Sequence, residues 1–283
     1  MRIDSHHHLW DLSARDYDWM DGDQMAPIRR NFAIADLEAA IAGTGIERTV
    51  FVQASMTHEE TYEALVLAEQ TPTIVAVVGW LDVDSPASLA ECEKYLAAKG
   101  GSYLKGIRDI AQDHPDSNYL ARPQVIKTVQ GLGKLDITYD ILTKTPELKA
   151  AIELVKACPD VQFVLDHISK PYIAKEEIEP WKSLITELSS FDNVSCKISG
   201  MVTEAKWNAW EVEDFVPYVD HIIESFTPQR IMFGSDWPVA LLATSKYSDV
   251  VHLAESLTQQ FSDSEKSLFW GENAKSAYKI TKM

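Results

Sequence analysis

Apolar residues along this chain alternate between two habits. Short runs rich in β-branched residues occupy positions 2–6, 49–53, 74–80, 103–108, 136–141, 161–167, 194–199 and 230–235. Between them, apolar positions recur every three to four residues, predicting helices near 34–43, 58–70, 86–99, 123–132, 146–157, 176–190, 211–226 and 248–261, with a further one at 264–279. Ser85-Pro86 and Thr145-Pro146 each place a capping hydroxyl before a proline suited to the first helical position. Leu148, Ala151, Ile152 and Val155 share the spacing of one buried helix face. Several strand runs, among them Thr49-Val50-Phe51-Val52 and Ile74-Val75-Ala76-Val77-Val78, are continuous, as in strands covered on both faces of a parallel sheet.

Eight strands alternating with helices over about 250 residues predict an α/β fold, a single-domain (β/α)8 TIM barrel across 1–283. A doubly wound open sheet is the alternative, since periodicity does not report closure. No glycine-rich phosphate loop follows the first strand, and no Gly/Ser- or Pro-rich linker divides the chain. The segment 9–32 carries Trp10, Tyr17 and Trp19 and is too long for a plain connector, so it is expected to form a lid or pocket wall.

Composition narrows the setting. Apolar residues make up 46% and charged residues 24%, the balance of a soluble globular protein. A net charge of −17 argues against nucleic acid and anionic membrane surfaces as partners, because both call for basic patches. The three cysteines, Cys92, Cys158 and Cys196, form no Cys-x-x-Cys pair, and the N-terminus lacks a signal-peptide pattern. A cytoplasmic protein with reduced thiols is expected, with a homo-oligomer left open.

Candidate chemistry clusters at the strand ends, where a barrel gathers its catalytic groups. Side chains alternate along a strand, so in Ser5-His6-His7-His8 the rings of His6 and His8 share one face. The other strand ends carry Gln53, Arg108, Tyr139-Asp140, His167 with Lys170 beyond it, Lys197 with Ser199, and Asp236. Each has a plain structural reading as well: Asp166-His167 as a capping pair, Lys197 as a buried stem with a satisfied head, Asp236 as a turn former. Their coincidence at successive strand ends favours a site.

Three stretches then carry a resemblance: Asp4-Ser5-His6-His7-His8, Val164-Leu165-Asp166-His167-Ile168-Ser169-Lys170-Pro171 and Phe233-Gly234-Ser235-Asp236-Trp237-Pro238. Together with Lys105-Gly106-Ile107-Arg108, Cys196-Lys197-Ile198-Ser199-Gly200 and Gly271-Glu272-Asn273-Ala274, they resemble the amidohydrolase superfamily. The branch they are most similar to is that of the sugar lactonases, of L-fuconolactonase and L-rhamnonolactonase type. The resemblance implies a (β/α)8 barrel and a catalytic set of His6, His8, His167 and Asp236. It also implies divalent-metal binding, here limited to at most one ion, with Zn on His6, His8 and Asp236. Arg108 stands where a bridging ligand is expected, and Tyr139-Asp140 where many relatives have a histidine. Metal-independent catalysis, as in some relatives of this branch, is the other reading.

Lactone hydrolysis requires an activated water, a charge partner for the oxyanion and a proton for the leaving ring oxygen. The expectation is Asp236 as general base, with His6, His8 and His167 polarising the carbonyl directly or through a metal. Arg108, Lys197, Gln53 and Tyr139 are expected to bind substrate oxygens, and Trp10 and Trp237 to wall the sugar ring. A decarboxylase, another ester or dicarboxylate-lactone hydrolase, and a non-catalytic binding barrel are the competing functions.

Overall fold

The computed structural model describes residues 1–281; the last two positions of the expected 1–283 span lie outside them. Eight parallel strands form one sheet in sequence order. They are β1 (Arg2–His7), β2 (Ile46–Val52), β3 (Ile74–Gly79), β4 (Leu104–Ile110), β5 (Thr138–Leu142), β6 (Phe163–Leu165), β7 (Val194–Ile198) and β8 (Ile231–Phe233). The ends of the sheet meet just past β8: His8 N donates to the Trp237 carbonyl (2.7 Å) and Asp236 N to the His6 carbonyl (2.8 Å). That is the (β/α)8 barrel expected, and it ties the first histidines directly to Asp236.

The helices are α1 (Ile34–Ile41), α2 (His58–Gln70), α3 (Ser88–Ala97), α4 (Pro123–Lys134), α5 (Leu148–Ala157), α6 (Trp181–Ser189), α7 (Val212–Phe226), α8 (Tyr247–Leu257), α9 (Asp263–Ser267) and α10 (Asn273–Ala277). Their apolar faces pack on the outside of the sheet. At the end of the chain, Tyr278 OH donates to Asp140 Oδ2 (2.6 Å), and Thr138 Oγ1 to the Ala277 carbonyl (2.7 Å). No helix among the described residues is long and apolar enough to cross a membrane.

Several expected boundaries move, each for a local reason. The strands expected at 161–167 and 230–235 stop at Leu165 and Phe233, because Asp166–Ser169 forms a tight turn and Asp236 turns left-handed. The helix expected at 176–190 starts only at Trp181, after a short turn at Ile173–Lys175. The one expected at 264–279 is split by a π turn at Leu268–Glu272, which buries Phe269 and Trp270; Trp270 lies against Phe233 with ring centroids 4.7 Å apart. Neither capping hydroxyl acts as expected. Ser85 Oγ accepts from Ala87 N (3.3 Å) in a turn ahead of α3. Thr145 Oγ1 has no hydrogen-bond partner among the described residues, and the turn before α5 is closed by Glu147 Oε2 accepting from Lys144 N (2.9 Å).

Candidate active site

The register of β1 slips between Asp4 and His7, and past the slip the alternation holds as expected. His6 and His8 meet at Nε2 to Nε2, 3.2 Å apart, while His7 turns away onto Phe51. Asp4 fastens this strand to the β8 end. Its carboxylate accepts from His6 N (3.0 Å), Ser235 N (2.8 Å), Ser235 Oγ (2.5 Å) and Tyr247 OH (2.8 Å). Burial nevertheless pushes this carboxyl up to about 6 against those hydrogen bonds.

Two segments of left-handed backbone aim the other groups. His167, Ile168, Ser169 and Lys170 all have positive φ (55°, 48°, 59° and 45°), as does Asp236 (56°). Left-handed backbone costs roughly 1–2 kcal/mol per residue outside glycine, so the turn persists only because it is held on all sides. Trp181 Nε1 donates to the Ile168 carbonyl (2.7 Å), Ser169 Oγ meets Thr143 Oγ1 (2.7 Å), and Lys170 N donates to the His167 carbonyl (2.8 Å). His167 Nδ1 rests 2.9 Å from Ser199 Oγ, over Gly200. A Cβ on that glycine would come within 2.5 Å of the ring.

The result is a carboxylate ringed by imidazoles. Asp236 Oδ1 stands 3.4 Å from His8 Nε2, 3.7 Å from His167 Nε2 and 3.8 Å from His6 Nε2, with all four side chains buried. Burial alone would raise the Asp236 pKa, but the rings of His167, His8 and His6 hold it well below the carboxylate range. Burial pushes His167 down to about 3 and takes His6 well below its ordinary value. At neutral pH the site therefore sets an ionised carboxylate beside the neutral rings of His6 and His167.

That donor set can hold a divalent cation. Ligand atoms of His6, His167 and Asp236 lie within 4.8 Å of one another. Bonds of about 2.0–2.1 Å to a tetrahedral Zn²⁺ place ligand atoms roughly 3.3–3.4 Å apart, close to the spacings around Asp236. His8 Nδ1 bonds the Val52 carbonyl (2.8 Å), which fixes its hydrogen there and leaves Nε2 free to ligate. The group of His6, His167 and Asp236 has His167 where His8 was expected; His8 Nε2 lies beside it, 3.2 Å from His6 Nε2 and 3.4 Å from Asp236 Oδ1.

Above this group opens a cavity of about 440 Å³. Of the residues anticipated from sequence, His8, Arg108, His167, Lys170 and Asp236 line it, as does Trp19 from the expected lid segment; His6 is fully buried and meets the lining only through its neighbours, Asp236 among them at 3.8 Å. Arg108 is held by Asp166 Oδ2 (3.0 Å) and the Gln53 carbonyl (2.6 Å). Gln53, Tyr139 and Lys197 are fully buried beneath the cavity and do not line it. Trp10 and Trp237 lie behind its wall, Trp10 against Trp19 at 5.6 Å and Trp237 against Phe32 at 5.2 Å. The wall also carries residues the sequence does not mark: Trp207, Lys144 and Glu204, in the connections beyond β5 and β7. Trp19 and Trp207 remain 38% and 37% exposed, unusual for so large an apolar group and the one sequence-level hint being their place in loops.

Comparison with known proteins agrees with this picture. The amidohydrolase family model matches residues 3–280. An L-fucono-1,5-lactonase of Burkholderia multivorans is 34% identical over 99% of this chain and 96% of its own length. Another, from Burkholderia ambifaria, is 34% identical over 86% of this chain and 82% of its own. A crystal structure of an amidohydrolase from Burkholderia multivorans with bound zinc superposes with a TM-score of 0.92 at 33% identity, covering 99% of both chains.

Proposed function

This chain belongs to the amidohydrolase family, and from that membership and the site geometry we propose that it is a lactonase, opening a sugar lactone to the free acid by general-base attack of water. The observation that carries the reading is the Asp236 carboxylate on the cavity floor, with ring nitrogens of His8, His167 and His6 at 3.4, 3.7 and 3.8 Å from its Oδ1.

Asp236 accepts a proton from water as the oxygen attacks the lactone carbonyl carbon. The carbonyl oxygen gains the negative charge, and Arg108 and the imidazole edges face it. Collapse breaks the bond to the ring oxygen, and the alkoxide leaves with the proton that Asp236 had taken up. A ring alkoxide leaves more readily than an amine, so one carboxylate can serve both transfers. His6, His8, His167 and Asp236 would hold a single divalent cation, for which we propose zinc; when bound, it supplies Lewis-acid polarisation of the carbonyl and a more acidic water. Trp19 and Trp207 offer flat faces to the C–H side of a sugar ring. Lys144, Lys170 and Glu204 suit its hydroxyls and the nascent carboxylate. The three cysteines are unpaired and buried, which supports a cytoplasmic setting.

The test is a screen of aldonolactones in weak buffer with a pH indicator, starting from L-fucono-1,5-lactone and run with and without a chelator. We expect stoichiometric acid release from at least one of them. A protein that released acid from none, yet evolved carbon dioxide from a hydroxybenzoate, would be the decarboxylase instead.

A further inference from the structure

Beneath the cavity lies a cluster of charges that lactone opening does not by itself require. Lys197 is fully buried, and its ammonium has three close neighbours: Asp140 Oδ2 at 2.6 Å, Asp166 Oδ1 at 2.8 Å and His6 Nδ1 at 3.2 Å. An ammonium carries three hydrogens and no lone pair, so a hydrogen bond across this 3.2 Å contact runs from Lys197 to His6 Nδ1, and a neutral ring that accepts at Nδ1 carries its hydrogen on Nε2. The next contacts agree. His6 Nε2 stands 3.2 Å from His8 Nε2, and the His8 hydrogen is already committed at Nδ1 to the Val52 carbonyl. Arg108 Nη1 lies farther from that His6 nitrogen, at 3.4 Å, and its shorter hydrogen bond goes to Asp166 Oδ2 (3.0 Å), while Nη2 donates to the Gln53 carbonyl (2.6 Å); the closer contact at His6 Nε2 is the one to His8. A single run of hydrogen bonds thus leads from Lys197 through His6 and His8 to Val52.

In that tautomer His6 has no lone pair at Nε2 to offer a cation. Ligation needs the other tautomer, with the hydrogen at Nδ1, and that nitrogen also has an acceptor beside it: Asp166 Oδ1, 3.4 Å away. We propose that Lys197 is a positioning residue that latches His6 in its non-ligating tautomer, and that cation loading passes Nδ1 from Lys197 to Asp166. One hydrogen leaves Nε2 and one is gained at Nδ1, so His6 is neutral before and after and releases no net proton. Lys197 therefore opposes loading and Asp166 favours it, although the two touch each other in one buried cluster.

The first test reads the tautomer directly in the wild-type protein, from ¹H–¹⁵N spectra of its histidine rings before and after zinc, with His6 identified by the signals missing in His6→Gln. The expected result is Nε2–H without metal and Nδ1–H with it. The same tautomer in both states overturns the proposal, as does a protein that takes up no zinc. The second is zinc affinity by competition with a chelating dye. Asp166→Asn should weaken binding about 10- to 100-fold, as loss of a ligand's hydrogen-bond partner does. Lys197→Met should tighten it about tenfold by removing a charged hydrogen bond that loading must break. A merely structural cluster predicts that both variants bind zinc more weakly, and that outcome refutes the latch. If Lys197→Met does not fold, the wild-type spectra decide alone. Neither measurement uses a lactone, so the result stands apart from the identity of the substrate.

Discussion

Replacing Asp236 by asparagine isolates the proton acceptor from the scaffold around it. The backbone needs no change: Asp236 N donates to the His6 carbonyl (2.8 Å), its carbonyl accepts from Ala240 N (2.9 Å), and asparagine tolerates the left-handed φ of 56°. What disappears is one negative charge within 3.4–3.8 Å of three ring nitrogens. A positioned general base is worth about 10²- to 10⁴-fold. Loss of a carboxylate ligand adds to that wherever a cation contributes. We therefore expect kcat on a responsive aldonolactone to fall at least about 10²-fold. The melting temperature should move by no more than about 4 °C, because asparagine keeps the shape and the backbone hydrogen bonds at 236. Initial rates by pH indicator and a thermal melt on the same preparation separate the roles. A variant that keeps its rate and loses stability would show a turn-forming aspartate and refute the assignment.

Three further outcomes follow from the geometry. Gly200→Ala should cost about 1–3 kcal/mol from overpacking and depress activity steeply, since its Cβ would fall 2.5 Å from His167 Nδ1 at a φ of +60°; a variant with unchanged kcat would show that the ring's position is not decisive. Trp207→Ala should raise KM about three- to tenfold with kcat and stability little changed, as steady-state kinetics will show; an unchanged KM would remove it from the sugar-binding wall. His7 is fully buried, and burial first, then the neighbouring His8, pushes its pKa down to about 3. A base depressed in the folded state is protonated first in the unfolded chain, so its contribution is intact above about pH 6.5 and is lost as the pH falls. His7→Leu should therefore lose about 2 kcal/mol less than wild type between pH 7.5 and 5 in denaturant titrations; parallel curves would count against this.

How much of this was legible in the chain depends on the kind of information each feature carries. Period-2 alternation makes His6 and His8 share a face, and continuous apolar runs such as Ile74-Val75-Ala76-Val77-Val78 mark strands covered on both sides. Counting such runs leads to the barrel, and the barrel in turn gathers His167 and Asp236 at one end. Burial and period are local properties, written residue by residue. Which neighbour a side chain meets is not. Trp10 and Trp237 read like pocket walls, yet the loop of 9–32 and the turns beyond β7 put Trp19 and Trp207 at the mouth instead. Lys197 reads like a cation awaiting substrate, yet Asp140, Asp166 and His6 come from three other strands or strand ends to surround it. The left-handed run from His167 to Lys170 opposes the residues' own backbone preferences, and Thr143, Trp181 and Ser199 hold it from distant parts of the chain. Local preference decides where a strand or helix forms; only tertiary packing supplies the contacts that override it at the site.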